Sequence, residues 1–140
     1  MLKYIYLLCI GFILMSCKTN DASKQKDCIN TILIQDDSLG QIRNNASKIN
    51  SLSNSILSYT DALNALDFSN CPQPFSSAFK KHIRAWNNIM LVTTKHPTLR
   101  GEMHDLFDDL ETSKDSTEFK KYLNKIWSTW DEIEKAKTIN

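Results

Sequence analysis

Three histidines are the side chains of this sequence best suited to proton transfer or metal binding: His82, His96 and His104. None belongs to a His-x-x-x-His or Glu-x-x-His pair, and a helical di-iron centre requires the second of these motifs. His82 shares a helical phase with Phe79 and Trp86, which predicts a partly buried ring with one satisfied nitrogen. The alternative is a noncovalent haem held by His82 with Met90 or Met103.

Three carboxylates share one predicted helical face at positions i, i+3 and i+7: Glu102, Asp105 and Asp109. Hard cations prefer oxygen ligands, so this set is a candidate cation site. The sequence has no EF-hand loop, and a solvated acidic face is the simpler interpretation. We therefore expect no metal and no cofactor.

Nucleophilic catalysis has no supporting pattern. The chain contains no Gly-x-Ser-x-Gly elbow and no glycine-rich phosphate loop. Ser77 and Lys80 have the Ser-x-x-Lys spacing, but the companion motifs of that enzyme class are missing. The sequence therefore predicts a protein that is not an enzyme.

A basic segment stands out in the middle of the chain. The predicted helix over residues 72–95 carries Lys80, Lys81 and Arg84 and no acid, and the helix after it is acidic. Opposite charge predicts that these two consecutive helices pack as antiparallel neighbours, although exposed ion pairs stabilise only weakly. The alternative is that Lys80, Lys81 and Arg84 form a patch that binds a partner.

Three tryptophans are present: Trp86, Trp127 and Trp130. Their periodicity predicts core positions. Because tryptophan is enriched at binding hot spots, Trp127 and Trp130 are also candidates for the edge of a groove between helices.

Cys28 and Cys71 form a candidate disulfide, with two free thiols or a bond between chains as alternatives. A continuous helix over residues 29–66 would hold its ends about 57 Å apart, whereas a disulfide needs Cα atoms within roughly 7 Å. A reversal between the two cysteines is therefore required. Residues 36–40, Asp-Asp-Ser-Leu-Gly, are the predicted place for it, and the β-branched residues 29–34 could be extended.

The N-terminus has the pattern of an export signal. Lys3 precedes an apolar run over residues 4–15, which as a helix would span about 18 Å of a hydrocarbon layer of roughly 30 Å. Such a run is short for a transmembrane helix and suits a signal peptide. Leu14-Met15-Ser16-Cys17 resembles the lipobox of bacterial lipoproteins.

This resemblance implies cleavage after Ser16 and a diacylglycerol thioether on Cys17, which anchors the chain in a membrane. Lys18 stands where an aspartate retains some lipoproteins in the inner membrane, so the resemblance favours the outer membrane, facing the periplasm. Removal of residues 1–16 takes away only Lys3, which leaves 16 basic and 16 acidic residues. A balanced charge argues against a nucleic-acid partner.

The remainder predicts an all-α protein, an up-and-down bundle of about four helices. Residues 17–27 carry the lipidated cysteine and a flexible tether, and residues 28–140 form the bundle domain. Ile42, Ile49 and Ile56 begin a seven-residue apolar step along one helix over residues 41–66. A capping box of Asp115 with Glu118 predicts the start of the last helix.

Two further resemblances concern modification and class. Asp37-Ser38-Leu39 and Asp115-Ser116-Thr117 resemble an O-glycosylation sequon of exported bacterial proteins, which implies candidate sites at Ser38 and Ser116. The segment Cys71-Pro72-x-x-Phe75-x-x-Ala78-Phe79-x-x-His82-Ile83-x-Ala85-Trp86 resembles uncharacterised exported helical proteins of Gram-negative bacteria.

The function expected from these patterns is that of a lipid-anchored envelope protein whose helical bundle binds a protein or another envelope component. The alternatives are an immunity-type inhibitor that neutralises a toxin through Lys80, Lys81 and Arg84, and a haem or metal carrier.

Overall fold

A computed structural model describes the backbone of residues 2–138 and the side chains of residues 21–138. This part of the chain forms five helices and no strand: α1 (Leu2–Ala46), α2 (Leu52–Asn64), α3 (Gln73–Thr93), α4 (Met103–Thr112) and α5 (Ser116–Ala136). The predicted all-α class and bundle packing are confirmed. The side chains of Leu14, Met15, Ser16 and Cys17 lie outside the described residues. The described part contains no apolar helical run that could span a bilayer.

Helices α3 and α5 form the centre of the bundle. Helix α2 packs on α3, α1 packs on α2, and α4 packs on α5. Three phenylalanines at this centre are fully buried, Phe75, Phe79 and Phe119, and each such side chain contributes about 2 kcal/mol by leaving water. This burial explains why α3 and α5 form the centre of the bundle.

The first helix is longer than predicted. Residues 29–34 are helical rather than extended, and residues 36–40 continue the helix rather than reverse it. A lone glycine costs a helix only about 1 kcal/mol, and burial of Ile32 against the bundle outweighs that cost. Residues 17–27, predicted as a flexible tether, have helical backbone within α1.

The reversal lies at residues 47–51 and divides the predicted apolar stripe. Ser47 is buried there: its carbonyl accepts from the amide of Gly101 at 2.9 Å, and the amide of Leu52 donates to the carbonyl of Leu99 at 2.8 Å. Ser51 caps α2 by accepting from the amide of Asn54. Because the stripe is broken at this point, the predicted buried positions of Ile42 and Ile49 are wrong, and these side chains are 59% and 75% exposed.

The predicted charge pairing of α3 with α4 is also wrong. Helix α4 packs on α5, and within residues 21–138 the ion pairs of α3 and α4 run to α5 instead. Lys81 of α3 meets Glu132 of α5 at 2.7 Å, and Glu111 of α4 meets Lys120 of α5 at 4.0 Å. Burial of the apolar faces decides the neighbours, since exposed ion pairs contribute little.

The capping box at the start of α5 is a third correction. Asp115 occupies the N-cap position but its side chain makes no capping hydrogen bond. Its carboxylate instead pairs with Lys95 at 3.4 Å and with Nε2 of His96 at 3.0 Å. These contacts tie the end of α3 to the start of α5.

Candidate functional site

A buried carboxylate, a buried phenol and a half-buried guanidinium meet where α1 crosses α2. Asp36 and Arg43 stand seven residues apart on α1, about two helical turns, and so share a face. The hydroxyl of Tyr59 on α2 donates to Oδ1 of Asp36 at 2.6 Å. Burial raises the pKa of the Asp36 carboxyl, against the bond from Tyr59 and the charge of Arg43. Burial likewise raises the pKa of Tyr59, so the phenol keeps its proton and donates it.

Two aromatic rings hold the guanidinium of Arg43. Its central carbon lies 4.5 Å from the ring centre of Tyr59 and 4.1 Å from that of Trp86. Such stacking on aromatic faces is worth roughly 0.5 to 2 kcal/mol per contact. Burial lowers the pKa of Arg43, but guanidinium remains charged at neutral pH. The two bonds from its Nε and Nη2 both go to Oδ1 of Asn44, so other N–H groups remain for a further acceptor.

A hydrogen-bonded chain continues from Trp86 into α5. The indole N–H of Trp86 donates to Nε2 of His82 at 3.1 Å, and Nδ1 of His82 lies 3.0 Å from Oγ1 of Thr129. The Thr129 hydroxyl donates to backbone carbonyls one turn back, so it must accept from the ring. His82 is therefore neutral, with its proton on Nδ1.

The electrostatics of His82 agree with this assignment. The side chain is 4% exposed, and burial lowers its pKa from 6.5 to about 4. Both ring nitrogens are engaged, one more than the sequence predicted. The Trp86 indole occupies the nitrogen that a haem iron would need, because Nε2 carries the lone pair.

These groups form the floor of an open groove between α1 and α5, with a volume of about 370 Å³. We call it the tryptophan groove, and its lining includes Asp36, Arg43, Tyr59, Trp86, Trp127 and Trp130. Every tryptophan of the chain is in this set. Trp130 is half-buried, while Trp127 is 60% exposed, which corrects its predicted core position and fits the alternative of a groove edge.

No sequence pattern indicates that α1 contributes to this site. Asp36 lies in the predicted turn over residues 36–40 and Arg43 in the predicted helix over residues 41–66, so the local patterns place them in different elements. Their seven-residue spacing was the available signal. It becomes visible only when residues 36–46 are treated as one helix.

The basic patch is assembled on the surface of α3. Lys80, Lys81 and Arg84 are exposed, and Lys125 of α5 joins Lys81 and Arg84 around a shallow cavity of about 270 Å³. Lys81 is already paired with Glu132. Of the three predicted patch residues, Lys81 is therefore neutralised by a neighbour, and binding of a partner by the patch stays a prediction.

The predicted acidic face stays in solvent. Glu102 caps α4, with Oε2 accepting from the amide of His104 at 2.7 Å. That bond lowers the pKa of the Glu102 carboxyl. Among the described residues, no cluster of histidine, cysteine or carboxylate side chains is arranged to hold a metal.

Cys28 and Cys71 lie at disulfide distance, with sulfur atoms 2.00 Å and Cα atoms 5.2 Å apart. The reversal at residues 47–51 allows this, since α1 runs away from Cys28 and α2 returns toward Cys71. The two candidate glycosylation sites differ in setting. Ser38 is exposed within α1 rather than in a turn, and the hydroxyl of Ser116 donates to the carbonyl of Glu111 at 2.6 Å.

Comparisons with protein-family models, with curated proteins and with solved structures found no match for this chain.

Proposed function

We propose that this chain is a lipid-anchored envelope protein that binds a partner or an envelope component through the tryptophan groove. The lipobox pattern supports attachment through Cys17, and Lys18, in place of an aspartate, supports an outer-membrane address facing the periplasm. The tryptophan groove is the single observation that carries the binding proposal. It gathers all three tryptophans around charged groups that the bundle holds in place.

The composition of the groove supports binding. A ligand site is usually concave and rich in aromatic side chains, with a few polar groups that fix orientation. Trp127 presents apolar area to solvent that the bundle does not use, and Arg43 retains N–H groups beside it. Because Arg43 is clamped by Tyr59 and Trp86 before any ligand arrives, little freedom is lost on binding.

The same side chains support a function without catalysis. A general base needs a free nitrogen within reach of a substrate proton, and both nitrogens of His82 are occupied. Burial also keeps its pKa at about 4, too low for a base that works near neutral pH. The buried histidine is then a structural member of the groove floor.

Site-specific photo-crosslinking in the native envelope tests the proposal. A photoreactive amino acid replaces Gln41, which is exposed at the groove rim. The matched control replaces Asn54, which is exposed on α2 outside the groove. A discrete cross-linked species at position 41 that is absent at position 54 supports the proposal. Equal labelling at both positions contradicts it.

An immunity-type inhibitor is the second candidate, favoured by the basic patch with Lys125 beside Lys81 and Arg84. A toxin bound there must be acidic where it docks. Charge reversal by Lys80→Glu with Arg84→Glu would then abolish capture of the partner, whereas the same change leaves binding in the groove intact. A haem or metal carrier is the third candidate, and a colourless, metal-free protein purified from its native host removes it.

A further inference from the structure

We propose that the tryptophan groove binds a neutral saccharide, with one face of a pyranose ring on Trp127 and neighbouring hydroxyl groups bonded to Asp36 and Arg43. The inference rests on the proposed function and adds the chemical class of the ligand.

Trp127 provides the stacking surface. The face of an indole carries partial negative charge, and the C–H groups on one face of a pyranose ring carry partial positive charge. The two faces are flat, of similar size and mutually attractive. Trp127 is 60% exposed at the groove, so a sugar can cover it without moving the helices.

Asp36 and Arg43 provide the hydrogen bonds. Within residues 21–138, Oδ1 of Asp36 accepts from Tyr59, while Oδ2 has no partner. Arg43 keeps N–H groups that Asn44 does not engage. A sugar hydroxyl both donates and accepts, so one hydroxyl can donate to Asp36 while its neighbour accepts from Arg43. A carboxylate beside a guanidinium thus matches two adjacent hydroxyls.

The charges of the groove favour a neutral ligand. Asp36 and Asp37 line it together with Arg43, so both signs face the same space. The two carboxylates repel an anionic ligand. The guanidinium offsets one of these charges, so the remaining attraction for a cation is weak, whereas a polar molecule without net charge can meet each group through a hydroxyl.

The volume of the tryptophan groove also fits a small saccharide. About 370 Å³ lies at the small end of the range for ligand sites, which suits a monosaccharide or a disaccharide. A longer glycan would extend out of the open groove into solvent.

Tryptophan fluorescence gives a direct test, since all three tryptophans of the chain line the groove. The full chain is purified from membranes in a detergent without sugar groups. It is then titrated with N,N′-diacetylchitobiose, cellobiose, maltose and lactose. Glucuronic acid and glucosamine serve as the charged comparisons, and saturation-transfer NMR confirms contact with each sugar. The chitobiose arm distinguishes a cell-wall type of N-acetylated sugar from plain hexoses.

We expect a saturable fluorescence shift with at least one neutral sugar and a weaker response to both charged sugars. Trp127→Ala, which removes the stacking surface, lowers the affinity at least about tenfold. Asp36→Asn removes a hydrogen-bond acceptor, leaves the stacking surface in place, and also lowers the affinity at least about tenfold. Leu57→Ala, on an exposed apolar residue of α2, leaves the affinity unchanged.

The outcomes separate the two proposals. If no neutral sugar gives a shift, or if a charged sugar binds as tightly, the saccharide assignment is overturned. Should cross-linking at position 41 persist in that case, binding through the groove survives with a different ligand. Loss of both signals overturns the proposed function as well.

Discussion

The guanidinium carbon of Arg43 lies 4.1 Å from the ring centre of Trp86, although the two residues come from helices that are not consecutive in the chain. Tyr59 covers the other side of the same group at 4.5 Å. One side chain of α1 is thereby attached to α2 and α3 together. This contact fixes the floor of the groove, and it links the stability of the bundle to the shape of the site.

Removal of Arg43 should weaken the fold measurably. Arg43→Ala loses both stacked contacts and leaves Asp36 buried without a nearby positive charge, and we expect the free energy of unfolding to fall by about 2 kcal/mol. Arg43→Lys keeps the charge but not the flat guanidinium, so it should recover part of that loss. Urea denaturation measures both values. Equal stability of all three proteins would show that the stacking contributes nothing.

The neutral state of His82 should make stability depend on pH. Its pKa is about 4 in the fold and 6.5 ordinarily, so the unfolded chain binds a proton first as the pH falls. The free energy of unfolding therefore has its full value above pH 6.5. It falls between pH 6.5 and pH 4 by up to about 3 kcal/mol. Urea midpoints across this interval measure the effect in the wild type and in His82→Gln, which should lose this slope. The control His104→Gln, on an exposed ring, should retain it, and an unchanged slope in His82→Gln would refute the assignment.

The cysteine pair should stabilise the bundle. Cys28 and Cys71 are 43 residues apart, and a bond closing a loop of that length is expected to contribute about 4 kcal/mol by restricting the unfolded chain. Cys71→Ser should therefore lower the urea midpoint strongly, and reduction of the wild type should do the same. Mass spectrometry without reductant counts the thiols. Two free thiols, or a bond between two chains, would contradict the pairing.

Lipid attachment at Cys17 has its own test. Cys17→Ser should abolish incorporation of labelled palmitate and move the protein from the membrane fraction to the soluble fraction. Cys28→Ser is the matched control, since it removes a cysteine of the bundle and leaves the lipobox intact. Labelling that survives Cys17→Ser would place the modification elsewhere or exclude it.

The faces of α3 and α5 could be predicted from the sequence because periodicity and chain breaks agree there. Phe75, Phe79 and Ile83 recur at helical spacing on α3 and are buried, and Phe119 and Ile133 do the same on α5. Each helix starts near a proline or a serine-rich turn. Local pattern and tertiary packing favour the same boundaries, so neither had to override the other.

The structure of the first half of the chain is harder to predict from the sequence, because its local signals disagree with its packing. Residues 36–40 have the composition of a turn, yet burial of Ile32 and the hydrogen bond from Tyr59 to Asp36 keep α1 continuous through them. The actual reversal depends on Ser47 bonding to Gly101, 54 residues away. The groove is less predictable still, since its lining comes from four helices.

Cross-linking from the groove in the presence and absence of Trp127 tests the central claim most directly. The photoreactive group at position 41 is combined with Trp127→Ala or with Leu57→Ala, and cross-linked species are compared in the native envelope. We predict that Trp127→Ala abolishes the species seen from the groove and that Leu57→Ala leaves it unchanged. A cross-linked species of equal yield in both variants would contradict binding through the tryptophan groove.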